Sequence, residues 1–241
     1  MLNNENDCAK KTIGIIGGMG PAATALLFQK LIDYTQANTD SEHMHIVIDN
    51  NTQIPDRTTA ILKGEDTPAK CIIESGKKLE AFGAELILIP CNTSHYFYAR
   101  IQEQLNVPVV NMIAETAGIC LKNGYTRIGI LATTGTCKTH TYDRELEKFG
   151  IETVYPDEEG QSKVMEIIYD QVKAGKKIDT SILDQTLKKM TAQGAQGFIL
   201  GCTELPFAIK NGDFGYQFFD SLDILAKRAV ELAGYQLKNK W

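Results

Sequence analysis

Two cysteines in matching surroundings offer the clearest chemistry in this chain. Leu86-Ile-Leu-Ile-Pro90 reads as a short strand buried on both faces, and it stops at Cys91-Asn92-Thr93-Ser94-His95. Asn92, Thr93 and Ser94 are residue types that accept backbone N–H groups at helix starts, so Cys91 is expected where a strand ends and a helix begins. A second copy lies 111 residues on, where Gly197-Phe-Ile-Leu200 runs into Gly201-Cys202-Thr203-Glu204-Leu205-Pro206. A thiolate at a helix N-terminus is stabilised by free N–H groups and the positive dipole end, which can bring its pKa from about 8.5 into the neutral range. Such a thiol can take a proton and return it. Two of them, facing a bound molecule from opposite sides, could remove hydrogen from a stereocentre on one face and deliver it on the other. Neither a metal nor an organic cofactor is formally required for that inversion.

The elements that must hold these thiols repeat along the chain. Thr12-Ile-Gly-Ile-Ile16 reads as a strand running into Gly17-Gly18-Met19-Gly20-Pro21, and Ala22 to Asn38 has helical periodicity, with Pro21 suited to its first position. His45–Ile48 is a second strand, the loop Asp49–Arg57 comes after it, and Thr67 to Phe82 is a helix ending at Gly83. After the cysteine strand come a helix from about Tyr96 to Leu105 and a strand near Val107–Ile113. The pattern restarts at Arg127-Ile-Gly-Ile-Leu131 and Ala132-Thr133-Thr134-Gly135-Thr136, with helices near 140–149, 162–174, 181–193 and 222–234 and short strands at 151–155, 197–200 and 217–220. Gly14 stands 77 residues before Cys91, and Gly129 stands 73 before Cys202. The expectation is an α/β fold of two similar Rossmann-like domains with parallel four-stranded sheets, related by a pseudo-two-fold axis. The carboxyl ends of both sheets should face a shared cleft that holds the active site. The domains are expected at 1–107 plus 217–241, carrying Cys91, and at 108–216, carrying Cys202.

Composition narrows the class. With 241 residues, 43% hydrophobic and 23% charged, the chain has the make-up of an ordinary globular protein. A formal charge of −5 with scattered basic residues gives no electrostatic reason to expect nucleic acid, and no apolar run approaches the roughly 20 residues needed to span a bilayer. The polar, acidic start Met1–Cys8 does not read as a signal peptide, so a cytoplasmic location is expected, with the six cysteines as thiols. No Cys/His spacing suggests a metal.

Other residues gain roles from their positions. The backbone N–H groups of Asn92, Thr93 and Thr203 would hold a carboxylate if these residues cap helices. Arg57, in a loop after a strand, is either a carboxylate-binding fork or a surface ion pair with Asp56. Thr133 and Thr136 are candidate donors. His95, one helical turn after Cys91, either orients it or simply packs, and His140 and Cys137 are given no role. Gly18-Met19-Gly20-Pro21-Ala22-Ala23 fits a relaxed dinucleotide fingerprint, but the acidic residue closing the next strand, Asp49, lies well beyond the expected spacing of about 20. The turn is better read as letting backbone approach a small ligand, with Met19 lining the pocket.

Gly17-Gly18-Met19-Gly20-Pro21, Gln53-Ile-Pro-Asp56-Arg57, Pro90-Cys91-Asn92-Thr93-Ser94-His95, Ala132-Thr133-Thr134-Gly135-Thr136 and Gly201-Cys202-Thr203-Glu204 together resemble the cofactor-independent aspartate/glutamate racemase family, most closely its aspartate racemases. The resemblance runs from about Thr12 to the final helix. It implies 1,1-proton transfer at the α-carbon of an acidic amino acid by Cys91 and Cys202, without pyridoxal phosphate or any other cofactor, in a homodimer. It further implies that Gln53 and Arg57 belong to the substrate site, that Arg57 binds the side-chain carboxylate, and that Lys173 lies opposite the arginine. Glu204 stands where relatives of glutamate racemase type carry histidine. That favours aspartate and makes Glu204 a supporting partner of Cys202. The alternatives are a related isomerase or decarboxylase on another small acid, or a non-catalytic protein that binds acidic ligands.

Overall fold

A computed structural model describes residues 10–210 and 213–238. The stretch 1–9, with Cys8 and the expected absence of a signal peptide, lies outside the described residues. The first half contains β1 (Ile13–Gly17), α1 (Pro21–Tyr34), β2 (Ile46–Asn50), α2 (Arg57–Lys63), α3 (Thr67–Ala81), β3 (Leu86–Leu88), α4 (Tyr98–Gln104) and α5 (Met112–Lys122). The second contains β4 (Arg127–Ala132), α6 (Thr134–Lys138), α7 (Asp143–Glu147), β5 (Glu152–Val154), α8 (Glu158–Met165), α9 (Asp184–Ala192), β6 (Phe198–Gly201), α10 (Leu205–Ala208), β7 (Phe218–Asp220) and α11 (Ser221–Leu232). Both sheets are parallel, with strand orders β2-β1-β3 and β5-β4-β6-β7. The first has three strands rather than the expected four, but Val109 bridges Ile87 in parallel and occupies the place that β7 takes in the second.

The repeat extends to single residues. Gly14 in β1 lies opposite Ile87, and Gly129 in β4 lies opposite Phe198. A Cβ on either glycine would collide with the side chain of that partner, so each central strand dispenses with a side chain at the same place. Asn111 and Asp220 both end a strand position and cap the next helix. Asn111 Oδ1 accepts from the N–H groups of Ile113 and Ala114, and Asp220 Oδ1 from those of Leu222 and Asp223.

Two expectations need correction. Phe218–Asp220, grouped by sequence with the first half, pairs with β6 in the second sheet, whereas Val109, grouped with the second half, joins the first. Three-residue strands carry no local signal of which sheet they join. The helix after β7 crosses over: α11 packs on α1 and α5, and one buried core joins Ile13, Leu27, Ile128, Ile130 and Leu225. The two halves therefore share a hydrophobic seam. The helix expected over 162–174 is also not uniform, because α8 stops at Met165 and Glu166–Lys173 continues as a wider π-helix that ends on Lys173.

Candidate active site

Cys91 and Cys202, one from each half, line a single cleft at the carboxyl ends of the two sheets. Met19, Arg57, Asn92, Thr93, Thr133, Lys173, Thr203 and Glu204 line it with them, so most of the residues singled out by sequence converge there. The cleft is shut: its free volume is about 10 Å³, the space one water-sized sphere needs. An amino acid needs more room than that. Gln53 does not take the expected place, since it is exposed and its N–H bonds Asn51 Oδ1 at 3.0 Å. Thr136 is buried one layer behind the cleft, 3.2 Å from Thr93 Oγ1.

The surroundings of the two thiols differ. Cys202 Sγ donates to Glu204 Oε2 at 2.9 Å, and Lys173 Nζ stands 3.6 Å from Glu204 Oε1. Burial, followed by the adjacent Glu204 charge, pushes the Cys202 thiol well above its ordinary pKa. Lys173 is pulled down by burial and raised by Glu204 and Cys202, with a net rise that keeps its ammonium charged. Its Nζ also lies 4.5 Å from the centre of the Tyr169 ring. Among the described residues, no hydrogen bond reaches Cys91 Sγ. Its carbonyl accepts instead from His95 Nδ1 at 2.9 Å, while His95 Nε2 accepts the Met112 N–H at 3.3 Å. That pattern puts the proton on Nδ1, and burial lowers the imidazole pKa so that the ring stays neutral. His95 thus positions the backbone of Cys91 and does not touch its sulfur.

Asn92, Thr93 and Thr203 do not cap helices as expected. Cys91 is followed by a 3-10 turn over Thr93–Phe97 with no side-chain cap, and Cys202 by only the single turn of α10. The three side chains reach across to the other half. Asn92 bonds Ser221 and Tyr142, Thr93 Oγ1 lies 2.9 Å from Thr133 Oγ1, and Thr203 Oγ1 donates to the Pro90 carbonyl at 3.4 Å. Thr133 alone caps, accepting the Thr136 N–H at 3.3 Å.

Arg57 opens α2 and is buried, with a relative exposure of only 7%. Nη1 donates to the carbonyls of Ile54 and Pro55 at 3.1 and 3.0 Å, and Nη2 to that of Met19 at 3.1 Å. These three backbone acceptors fix the guanidinium plane. Nε–H is buried with no partner, and with the second proton of the adjacent Nη2 it leaves one edge of the fork unused. The alternative ion pair with Asp56 is not formed. The Asp56 carboxylate accepts from Thr59 N–H at 2.8 Å and from the Tyr169 hydroxyl at 2.9 Å.

Sequence reasoning missed several residues here. Tyr169 and Asp56 close the mouth by a hydrogen bond between the halves, and Thr58 lines the cleft beside Arg57. Asp56 three places before Thr59 is an ordinary capping signal, but nothing local points it at a tyrosine 113 residues away. Among the described residues, no group of three or more His, Cys, Asp or Glu side chains could hold a metal ion. No helix among them is long and apolar enough to cross a membrane.

Comparison with known proteins agrees with this geometry. The family model for Asp/Glu/hydantoin racemase matches residues 16–229. The broad specificity amino-acid racemase RacX of Bacillus subtilis is 31% identical over 224 residues, covering 90% of this chain and 96% of that protein. Among solved structures, an aspartate racemase from Picrophilus torridus superposes with a TM-score of 0.79 at 32% identity, covering 95% of this chain and 96% of its own. An aspartate racemase homologue from Pyrococcus horikoshii gives 0.77 at 33%, covering 92% and 99%. The matched span includes both cysteine loops and every lining residue named above, and the chain belongs to the Asp/Glu/hydantoin racemase family of isomerases.

Proposed function

We propose that the protein interconverts L- and D-aspartate by two-base proton transfer, with Cys91 and Cys202 as the bases on opposite faces of the α-carbon. The observation that carries this reading is the convergence of two buried thiols, one from each repeated half, on one closed cleft. One thiolate removes the α-hydrogen, and the electron pair left on Cα delocalises into the α-carboxylate. The opposite thiol then returns a proton on the other face. Backbone N–H groups of Asn92 and Thr93 and of the Cys202–Thr203 turn would hold that carboxylate, and the shut cleft excludes water from the carbanion.

Arg57 supports an acidic substrate. A guanidinium buried without a carboxylate partner is costly, and its unused Nε edge fits a side-chain carboxylate. Lys173 supplies a second cation, shared with Glu204. The name of the Bacillus relative favours a second reading, racemisation of many amino acids, in which Arg57 would be only a prop for the Met19 turn. The test is circular dichroism of L-aspartate, L-glutamate and L-alanine incubated with the purified protein without added pyridoxal phosphate. Loss of optical activity with aspartate, and far slower loss with alanine, is expected. Equal rates on all three would sink the aspartate assignment, and no loss on any would sink racemisation.

A further inference from the structure

The side chain of Asn92, next to Cys91, is held by two residues of the second half that the catalytic reading leaves without a role. Asn92 Nδ2 donates to Ser221 Oγ at 3.0 Å, and Ser221 Oγ donates onward to the carbonyl of Leu200 at 2.8 Å. Leu200 lies two residues before Cys202. Tyr142 makes a parallel link: its hydroxyl donates to Asn92 Oδ1 at 2.5 Å, while its ring lies against Gly201, where an added Cβ would come within 3.0 Å of Tyr142 Cε2. Asn92 is 2% exposed, and Ser221 and Tyr142 are fully buried. Burial drives the Tyr142 phenol far above its ordinary pKa, so it acts as a fixed donor.

We propose that Ser221 and Tyr142 are positioning residues which, through Asn92, brace the Cys91 loop against the Cys202 loop and so set the separation of the two thiols. This rests on the two-cysteine reading above. Its physical basis is that a buried and fully satisfied polar network is rigid. Removing the Ser221 hydroxyl leaves Asn92 Nδ2 without its acceptor, and removing that of Tyr142 leaves Asn92 Oδ1 without its donor, so the loops must shift to find partners. Two-base inversion depends on both sulfurs lying in line with one carbon. A displacement of about 1 Å can cost on the order of 10²-fold in rate.

Ser221→Ala is the test, with Tyr142→Phe as a second variant that removes one hydroxyl and leaves the ring packed on Gly201. In D2O, the rate of α-deuterium wash-in with retention is compared with the rate of inversion, alongside KM and the thermal midpoint. The expected result is a fall in inversion of about 10- to 100-fold, KM within roughly two-fold, and retained exchange, only a trace in the wild type, rising several-fold relative to inversion. Abstraction by one thiol would continue while delivery by the other fails. If retention and inversion fall by the same factor, or neither changes, in both variants, the brace is refuted. Wild-type protein that racemises normally in the same experiment shows that the two-cysteine reading survives such a result. Wild-type protein with neither exchange nor inversion overturns both.

Discussion

The loops around Cys91 and Cys202 are matched in position and unlike in charge. Both come after a central-sheet strand, both face one cleft, and both precede a short helical turn. Cys202 donates to a buried carboxylate that is itself held by Lys173. Cys91 Sγ meets no such partner among the described residues, and a neutral histidine holds the Cys91 carbonyl instead. Duplication thus supplies the geometry a symmetric reaction needs, while the chemistry around each sulfur has diverged. The equilibrium constant between enantiomers is one, so kcat/KM must be equal in the two directions. The difference between the thiols therefore shows in which proton is mobile and at what pH, not in the direction favoured.

The comparison breaks most visibly if one thiol is removed. Cys91→Ala and Cys202→Ala are each expected to lower racemisation by at least about 10²- to 10⁴-fold, the worth of a general acid or base, with the far-ultraviolet dichroism unchanged. Full activity in either variant would mean that the halves are not functional counterparts. Next in size is Arg57→Leu, which should raise KM for aspartate about 10- to 100-fold, in line with ~1.5–3 kcal/mol for a hydrogen bond to a charged group. It should raise KM for a neutral amino acid much less. Similar losses for both would mark Arg57 as a scaffold for the Met19 turn only.

Glu204→Gln sharpens the electrostatic contrast. The carboxylate disfavours the Cys202 thiolate, so neutralising it should lower that thiol's pKa. The acid limb of the kcat profile should then move to lower pH for whichever enantiomer Cys202 deprotonates, with little movement for the other. An identical shift in both directions would mean that Glu204 acts on the cleft as a whole. The smallest effect is expected from Tyr169→Phe. It deletes the bond to Asp56 across the mouth, and KM should rise about 3- to 10-fold, from ~0.5–1.5 kcal/mol, because the closed state loses one tie. Unchanged KM and kcat would show that this bond does not hold the cleft shut.

Much of the site was legible because each cysteine ends a run of aliphatic residues too apolar to be anything but a buried strand, and the run fixes where the thiol emerges. Arg57 is a candidate by type and position, Lys173 only through the resemblance, and the unused edge of Arg57 is visible only in the structure. The side-chain partners across the seam could not be read. Asn92 and Thr203 are ordinary capping residues by type, and only the packing of the second half turns them toward Ser221 and Pro90. Gln53 belongs to a recognisable motif yet faces solvent, because the turn that buries Ile54 and Arg57 directs its neighbour outward. The grouping of Phe218–Asp220 failed for a similar reason: the helix after it packs on the first half while the strand itself pairs in the second.

The most direct test is isotopic. L-aspartate is racemised in D2O to a few per cent conversion, and Cα is read by mass spectrometry in each separated enantiomer. Two thiols acting from opposite faces predict deuterium in the D-aspartate formed and protium retained in the remaining L-aspartate. Equal labelling of both enantiomers would mean that a single base serves both faces, and would contradict the account.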